Sequence, residues 1–524
     1  MKEKNKYGQY FTERVIAEYM VSLITHEKDC SVLEPSCGQG VFLSCLHDKG
    51  YTNTCAYEID NTLAKNFQEV RYESFISVPT EQKYDVIIGN PPFIRWKNLE
   101  EELKNELATS VLWNRYFNSL CDYLFIFILK SIEHLDEGGE LVFICSDYWI
   151  NSTHAASLRN YMVTHGYFDK IYHFKEAPLF EKVNASFIIF RYVKGSKPIE
   201  KPITLYTYTE KGKPELEDLE SLRCFHCEAI PHFQQNERWI LATSELQNEL
   251  KWFESICIKT NNLFENELCR VGDICDIGNG MVSGLDAAFK IGKEHLATLN
   301  ERERNSTIHV LKAKGLGRFR FSDDSVYIFV NENIDETEFK AKYPHFEAQL
   351  SPYREELLKR YSYGRDLPYW EFAFPRSRAL FERPEEKIFV PCKERISYKN
   401  YYRFCYAPQG YYPLQDVTAI VRKKGCRESI EYILAFLNSK YVFDWLRFNG
   451  IVKGEIVEFS EHPIASIPFR RIDWNNEREV ALHKDITLEI QRFIKSDGAF
   501  SETNVEKYIN MLFYGKNNRI QEIA

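Results

Sequence analysis

Asn90-Pro91-Pro92-Phe93 is the stretch of this 524-residue chain whose residue types point most directly to chemistry. Asn90 offers a planar amide. The two prolines fix φ and donate no amide hydrogens, so the carbonyls beside them face a pocket rich in acceptors. Phe93 closes the corner with a flat ring. Two acceptors and a ring suit an exocyclic amino group on a planar heterocycle. The plainer alternative is a strand ending in a Pro-Pro turn, with Asn90 in an ordinary local hydrogen bond.

Elements must hold that corner in place, and the sequence supplies them. Tyr84 to Gly89 reads as a strand whose Val86, Ile87 and Ile88 are unbroken by charge, as in a parallel sheet covered on both faces. Upstream, a short strand over 31–35 runs into Ser36-Cys37-Gly38-Gln39-Gly40, and a helix opens at Val41. Two glycines at such a crossing let a backbone approach a ligand closely, although a lone Gly-rich turn is more often only a turn. The loop is neither G-x-G-x-x-G nor a P-loop. Glu34 at the strand tip can accept from a cation or a hydroxyl. About 20 residues on, the strand 55–60 carries Glu58, where a doubly wound sheet holds a ribose. Further elements expected are helices over 12–25 (Thr12 as cap), 61–71, 122–135 and 152–165, and strands over 140–146, 168–174 and 185–192. Phe180, on the loop before that last strand, reads either as a second aromatic wall or as packing beneath the loop.

Length alone predicts two or three domains. No apolar run of about 18 residues occurs, and the charged start MKEKNK has no apolar signal core, so neither a membrane span nor secretion is expected. The 14 cysteines are scattered, which fits reduced cytosolic thiols better than disulfides or zinc; Cys224 and Cys227 form a lone C-x-x-C pair. The net charge of −9 argues weakly against nucleic acid, yet 351–424 holds 15 Lys and Arg against 9 Asp and Glu, a local basic surface.

In order and residue type, this chain resembles the gamma-class DNA adenine-N6 methyltransferases of restriction-modification systems, well over the first 195 residues and loosely beyond. The family's opening aromatic segment matches Tyr7-Gly8-Gln9-Tyr10-Phe11-Thr12, with Glu13 in place of a proline; its methionine-binding loop matches Leu33 to Gly40; its ribose-binding acid matches Glu58; and its Asn-Pro-Pro-aromatic motif matches Asn90 to Phe93. Sixteen residues before the Asn, the family's Asp-Phe is here Ser74-Phe75, so the polar contact to the cofactor's adenine falls to Ser74 or Glu73. The resemblance implies a class I S-adenosylmethionine-dependent methyltransferase fold, a doubly wound, mostly parallel seven-stranded sheet, followed by a mixed α/β target-recognition domain. It implies S-adenosylmethionine as cofactor, held by Tyr7, Gln9, Tyr10, Thr12, Glu34, Pro35, Ser36, Gly38, Gly40, Glu58, Ile59, Ser74 and Phe75. No metal is expected. It implies catalysis by Asn90, Pro91, Pro92 and Phe93, with Phe180 (11 residues before Arg191) stacking on a flipped adenine.

The expected partners are double-stranded DNA, met as a monomer, and a separate restriction endonuclease; because the opening motif begins at residue 7, no fused nuclease is expected ahead of it. The expected location is the prokaryotic cytosol. Domain boundaries are expected at 1–195 (catalytic), 196–230 (a Lys-, Glu- and Pro-rich interdomain crossing) and 231–524 (target recognition). Arg376, Arg378, Arg383, Lys393 and Arg395, interleaved with aromatic and apolar residues, are the candidate DNA contacts. The segment 274–286 reads as a hairpin loop, 429–447 as one long helix, 450–454 as a mobile link, 464–467 as a strand and 478–495 as a helix. Two rivals remain at this point. A protein-glutamine or RNA amino-methyltransferase shares the Asn-Pro-Pro-aromatic motif, and a non-catalytic DNA-binding subunit could keep the fold as scaffold.

Overall fold

The computed structural model describes residues 9–180, 183, 185–196, 201–258, 268–360, 364, 366–397, 399–495 and 502–514. Tyr7, expected at the cofactor, lies outside them. The chain divides into two compact units, Met1–Gln247 and Asn248–Ala524.

The first unit is built on a nine-stranded sheet. Its strands are β1 (Val32–Glu34), β2 (Thr54–Tyr57), β3 (Val70–Arg71), β4 (Tyr84–Gly89), β5 (Leu135–Ser146), β6 (Gly166–Lys175), β7 (Phe187–Lys194), β8 (Ile203–Tyr208) and β9 (Phe225–Ile230). They lie in the order β3-β2-β1-β4-β5-β7-β6-β8-β9. The pairings from β3 through β5 are parallel, and β7 runs antiparallel to both β5 and β6. The first seven strands are the expected methyltransferase sheet.

Side-chain alternation explains why the centre of β4, Val86 to Ile88, is apolar. Ile87 faces one core with Leu33, Leu124 and Leu141, while Val86 and Ile88 face another with Ile16, Met20 and Phe42. All three are fully buried. The helix Tyr123–His134 supplies much of the first core; Asp122 caps it by accepting from Leu124 N–H at 3.0 Å. Strand order reverses between β1 and β4, which places a crevice at the carboxyl ends of β1, β2 and β4.

Four expectations for the first unit need correction. Residues 203–208 and 225–230 are not part of a crossing: β8 pairs parallel with β6 and β9 pairs antiparallel with β8. Ile203, Leu205, Tyr208 and Ile230 are buried there, so the compact unit runs on to Gln247 rather than ending at 195. Residues 61–71 form turns and the short β3 in place of a helix, because β3 must reach the edge of β2. The first helix spans Arg14–Ser22 and is entered from Glu13, leaving Thr12 free for another task.

The second unit holds two four-stranded sheets and one three-stranded sheet. One of its cores gathers Phe289, Tyr343, Trp370, Phe389 and Leu414 among others. The expected long helix is two, Ile430–Leu437 and Lys440–Asn449, because Ser439 caps the second. Asn279-Gly280 is not a hairpin turn. Cys275–Asn279 pairs antiparallel with Val417–Arg422, and a Cβ on Gly280 would strike the Leu414 carbonyl, so close approach explains that glycine. Residues 451–453 and 456–458 form a hairpin rather than a mobile link, and Glu461–Ala465 is helical where a strand was expected. Glu477–Lys495 is the helix expected.

Candidate active site

A cleft opens in the first unit. Its floor is the loop after β1. Gly38 and Gly40 sit at φ +54° and +80°, in the left-handed region, and a Cβ at Gly40 would drive into the Phe67 ring. Gly40 shapes the loop from behind rather than lining the cleft. Gly38 N–H donates to Glu58 Oε2 at 2.7 Å, and Asp60 N–H donates to Oε1 at 2.9 Å. The carboxylate thus ties the β1 loop to the β2 loop while facing the cleft. Burial pushes its pKa up, and these backbone donors oppose the shift.

Glu34 is 1% exposed, and its Oε2 has no hydrogen-bond partner. Burial, then the nearby Glu58, push its pKa well above the usual carboxylate range. A buried carboxyl oxygen with no partner at a strand tip is costly unless a ligand supplies the donor. It lines a recess adjoining the cleft, together with Thr12, Gly38 and Asn90.

The far end of the cleft is lined by Ile59, Glu73, Ser74, Phe75, Leu103, Tyr123 and Phe127. Tyr57 and Phe127 pack on Phe75 at 5.9 and 5.7 Å, which makes this end of the cleft aromatic. Glu73 and Ser74 both reach it. Tyr123 and Phe127 come from the helix expected over 122–135, where periodicity does not tell which turn of a buried helix meets a cavity, and Leu103 comes from the helix Glu101–Thr109, which the sequence reading did not name.

The corner after β4 forms the opposite wall, where Asn90, Pro91 and Pro92 line the cleft with Gln9, Tyr10, Phe11, Pro35 and Ser36. Asn90 Nδ2 donates to the Tyr10 carbonyl at 2.7 Å and to Thr12 Oγ1 at 3.1 Å. Its Oδ1 is buried and has no hydrogen-bond partner. Phe93 lies between Tyr10, at 6.2 Å and 27°, and Phe187, at 6.3 Å.

Phe180 departs from expectation. It is 5% exposed, packs at 4.7 Å on Phe187 and does not line the cleft. The loop buries it because Phe187 and Leu179 offer a ready apolar seat. Among the candidate DNA contacts, Arg376 donates to the Gly280 carbonyl at 2.7 Å, Arg378 pairs with Glu382 and Arg383 pairs with Asp276. Each braces its own unit. Lys393 and Arg395 are exposed on a short strand.

Residues 41–180 match the family model of the Eco57I restriction-modification methylases. The chain is 45% identical over 500 residues to the type II methyltransferase M.HindII of Haemophilus influenzae, covering 94% of this chain and 95% of that protein. It is 42% identical over 499 residues to M.HincII of the same species, with the same coverage. This chain belongs to the type II restriction-modification DNA methyltransferases. It is a site-specific, adenine-N6 DNA methyltransferase that uses S-adenosylmethionine. Membership decides against the protein-glutamine and RNA substrates that the motif alone left open. The solved type IIL restriction-modification enzyme MmeI superposes with a TM-score of 0.59 at 12% identity, over 97% of this chain and 73% of that one, a likeness of fold. Among the described residues no helix is long and apolar enough to cross a membrane, and no cluster of His, Cys, Asp or Glu could hold a metal.

Proposed function

We propose that the cleft is the methyl-transfer site, with Asn90 as the acceptor that receives the target adenine's amino group. The observation that carries this reading is the buried, unpartnered Oδ1 of Asn90 at the edge of a cleft shaped for a nucleoside. In this reading Glu58 accepts the ribose hydroxyls, Phe75 and Ile59 flank the cofactor's adenine, and Glu34 faces the cationic methionine end. S-adenosylmethionine supplies an electrophilic methyl group on sulfur.

The protein's contribution is geometry and fixed dipoles. An adenine amine is a poor nucleophile because its lone pair is shared with the ring. Asn90 Oδ1 and the Pro91 carbonyl accept its two hydrogens, favour a tetrahedral nitrogen and stabilise the positive charge that grows as the nitrogen attacks. Dipoles placed in advance for such charge are worth roughly 3–4 kcal/mol each. The prolines hold the carbonyls rigid, and Phe93 offers a face for a base drawn out of the duplex.

The second unit is the proposed target-recognition domain. Lys393 and Arg395, exposed on the strand Lys393–Arg395, are candidates for DNA contact. The reading further includes action as a monomer in the prokaryotic cytosol, beside a separately encoded nuclease.

The test is Asn90→Ala. Isothermal titration should give cofactor affinity within about twofold of the parent, while labelled-methyl transfer to cognate duplex should fall at least a hundredfold, on the scale of one lost transition-state acceptor. A parent-like transfer rate overturns the role of Asn90.

A further inference from the structure

Residues 10–12 meet the catalytic corner in three ways. The Tyr10 ring stacks on Phe93, the Tyr10 carbonyl accepts from Asn90 Nδ2, and Thr12 Oγ1 accepts from the same nitrogen. The sequence offers no other duty for Thr12 as a helix cap, because the helix that follows is entered from Glu13.

An asparagine amide is nearly symmetric in shape, and its two ends differ only in what they can bond. Here the difference is forced. A carbonyl oxygen can only accept, so the end of Asn90 that lies 2.7 Å from Tyr10 must be the NH2 group. Turning the amide over would set Oδ1 against that carbonyl, two acceptors face to face, and would aim N–H donors where the target amine arrives. An amine that must give up hydrogen bonds would then meet donors.

We propose that Thr12, with the Tyr10 main chain, is a positioning element that fixes the Asn90 amide so that its oxygen faces the target amine. Thr12 acts through Asn90 and touches neither the base nor the reacting methyl. This differs from the expectation that Thr12 binds the cofactor, and it rests on the reading of Asn90 as the acceptor. The Tyr10 carbonyl sets the direction and Thr12 narrows the swing, since two acceptors at 2.7 and 3.1 Å hold both hydrogens of Nδ2.

Thr12→Val keeps the shape and removes the acceptor; Thr12→Ser keeps the acceptor and removes only a methyl. Single-turnover methyl transfer at saturating S-adenosylmethionine and cognate duplex should drop about tenfold in Thr12→Val, the scale of one hydrogen bond. Cofactor affinity should stay within about twofold, and a 2-aminopurine placed at the target should flip as in the parent. Thr12→Ser should recover most of the rate.

A Thr12→Val protein with parent-like single-turnover rate overturns the proposal. So does one whose defect lies only in cofactor affinity and vanishes at saturation, which would make Thr12 a cofactor contact. Failure of Thr12→Ser to recover the rate also overturns it. If Asn90→Ala itself transfers methyl at the parent rate, the reading of the corner fails first; if only Thr12→Val is silent, the corner stands and the positioning role falls.

Discussion

At the scale of single residues, two phenylalanines beside the corner differ in burial, and neither lines the cleft. Phe93 is half-buried, with the Tyr10 and Phe187 rings on either side. Phe180 sits below it in the core. Removing a buried phenylalanine ring costs about 3–5 kcal/mol. Phe180→Ala is therefore expected to lower stability by roughly that amount in urea unfolding, before any effect on base capture is measured. If Phe180→Ala is as stable as the parent but shows weakened 2-aminopurine fluorescence with target DNA, the ring leaves the core to meet the base. Phe93→Tyr should retain most activity, because the ring face is kept.

At the scale of elements, the pieces that carry chemistry in order were legible and the pieces that carry only geometry were not. Val86 to Ile88 announced a doubly covered strand because alternate residues feed two different cores. Glu34 and Glu58 announced themselves as acids at strand tips. Gly40 was read as making room for a ligand, yet its φ of +80° and the Phe67 ring behind it give the reason, and Phe67 carries no signal in the sequence. Strands β8 and β9 were missed because Lys, Glu and Pro around them look like a linker, while their apolar residues find partners only once β6 is in place. The tie between the loops after β1 and β2 was equally invisible, since it consists of backbone N–H groups reaching one carboxylate. Glu58→Gln tests that tie. A glutamine must turn its NH2 toward one of two N–H donors, losing a charge-assisted bond worth about 1.5–3 kcal/mol. Cofactor affinity should weaken by at least about tenfold in titration calorimetry. Affinity within twofold of the parent would mean that Glu58 neither ties the loops nor holds the ribose.

At the scale of the whole molecule, the proposed contact of Glu34 with the cofactor would link binding, protonation and folding stability. In the free protein its pKa is raised by burial and by Glu58. The native state therefore holds a proton that the unfolded chain, with its ordinary carboxyl near about 4.3, has already released. The stabilising contribution is full below that ordinary value and is lost as pH rises through the raised one. Binding a cationic methionine end reverses the preference, because a nearby positive charge favours the carboxylate. Cofactor binding should thus expel up to one proton throughout that window, and affinity should rise with pH by at most about tenfold per unit before levelling off above the raised pKa. Calorimetry in two buffers of different ionisation enthalpy counts the proton directly, and thermal melts with and without cofactor should diverge as pH rises. Glu34→Gln should flatten the affinity profile and remove Glu34's share of the free protein's pH-dependent stability in that range, because the amide carries no proton to release. A parent protein whose affinity is already flat, with no buffer dependence of the binding heat, would show that the buried carboxyl does not face the cation.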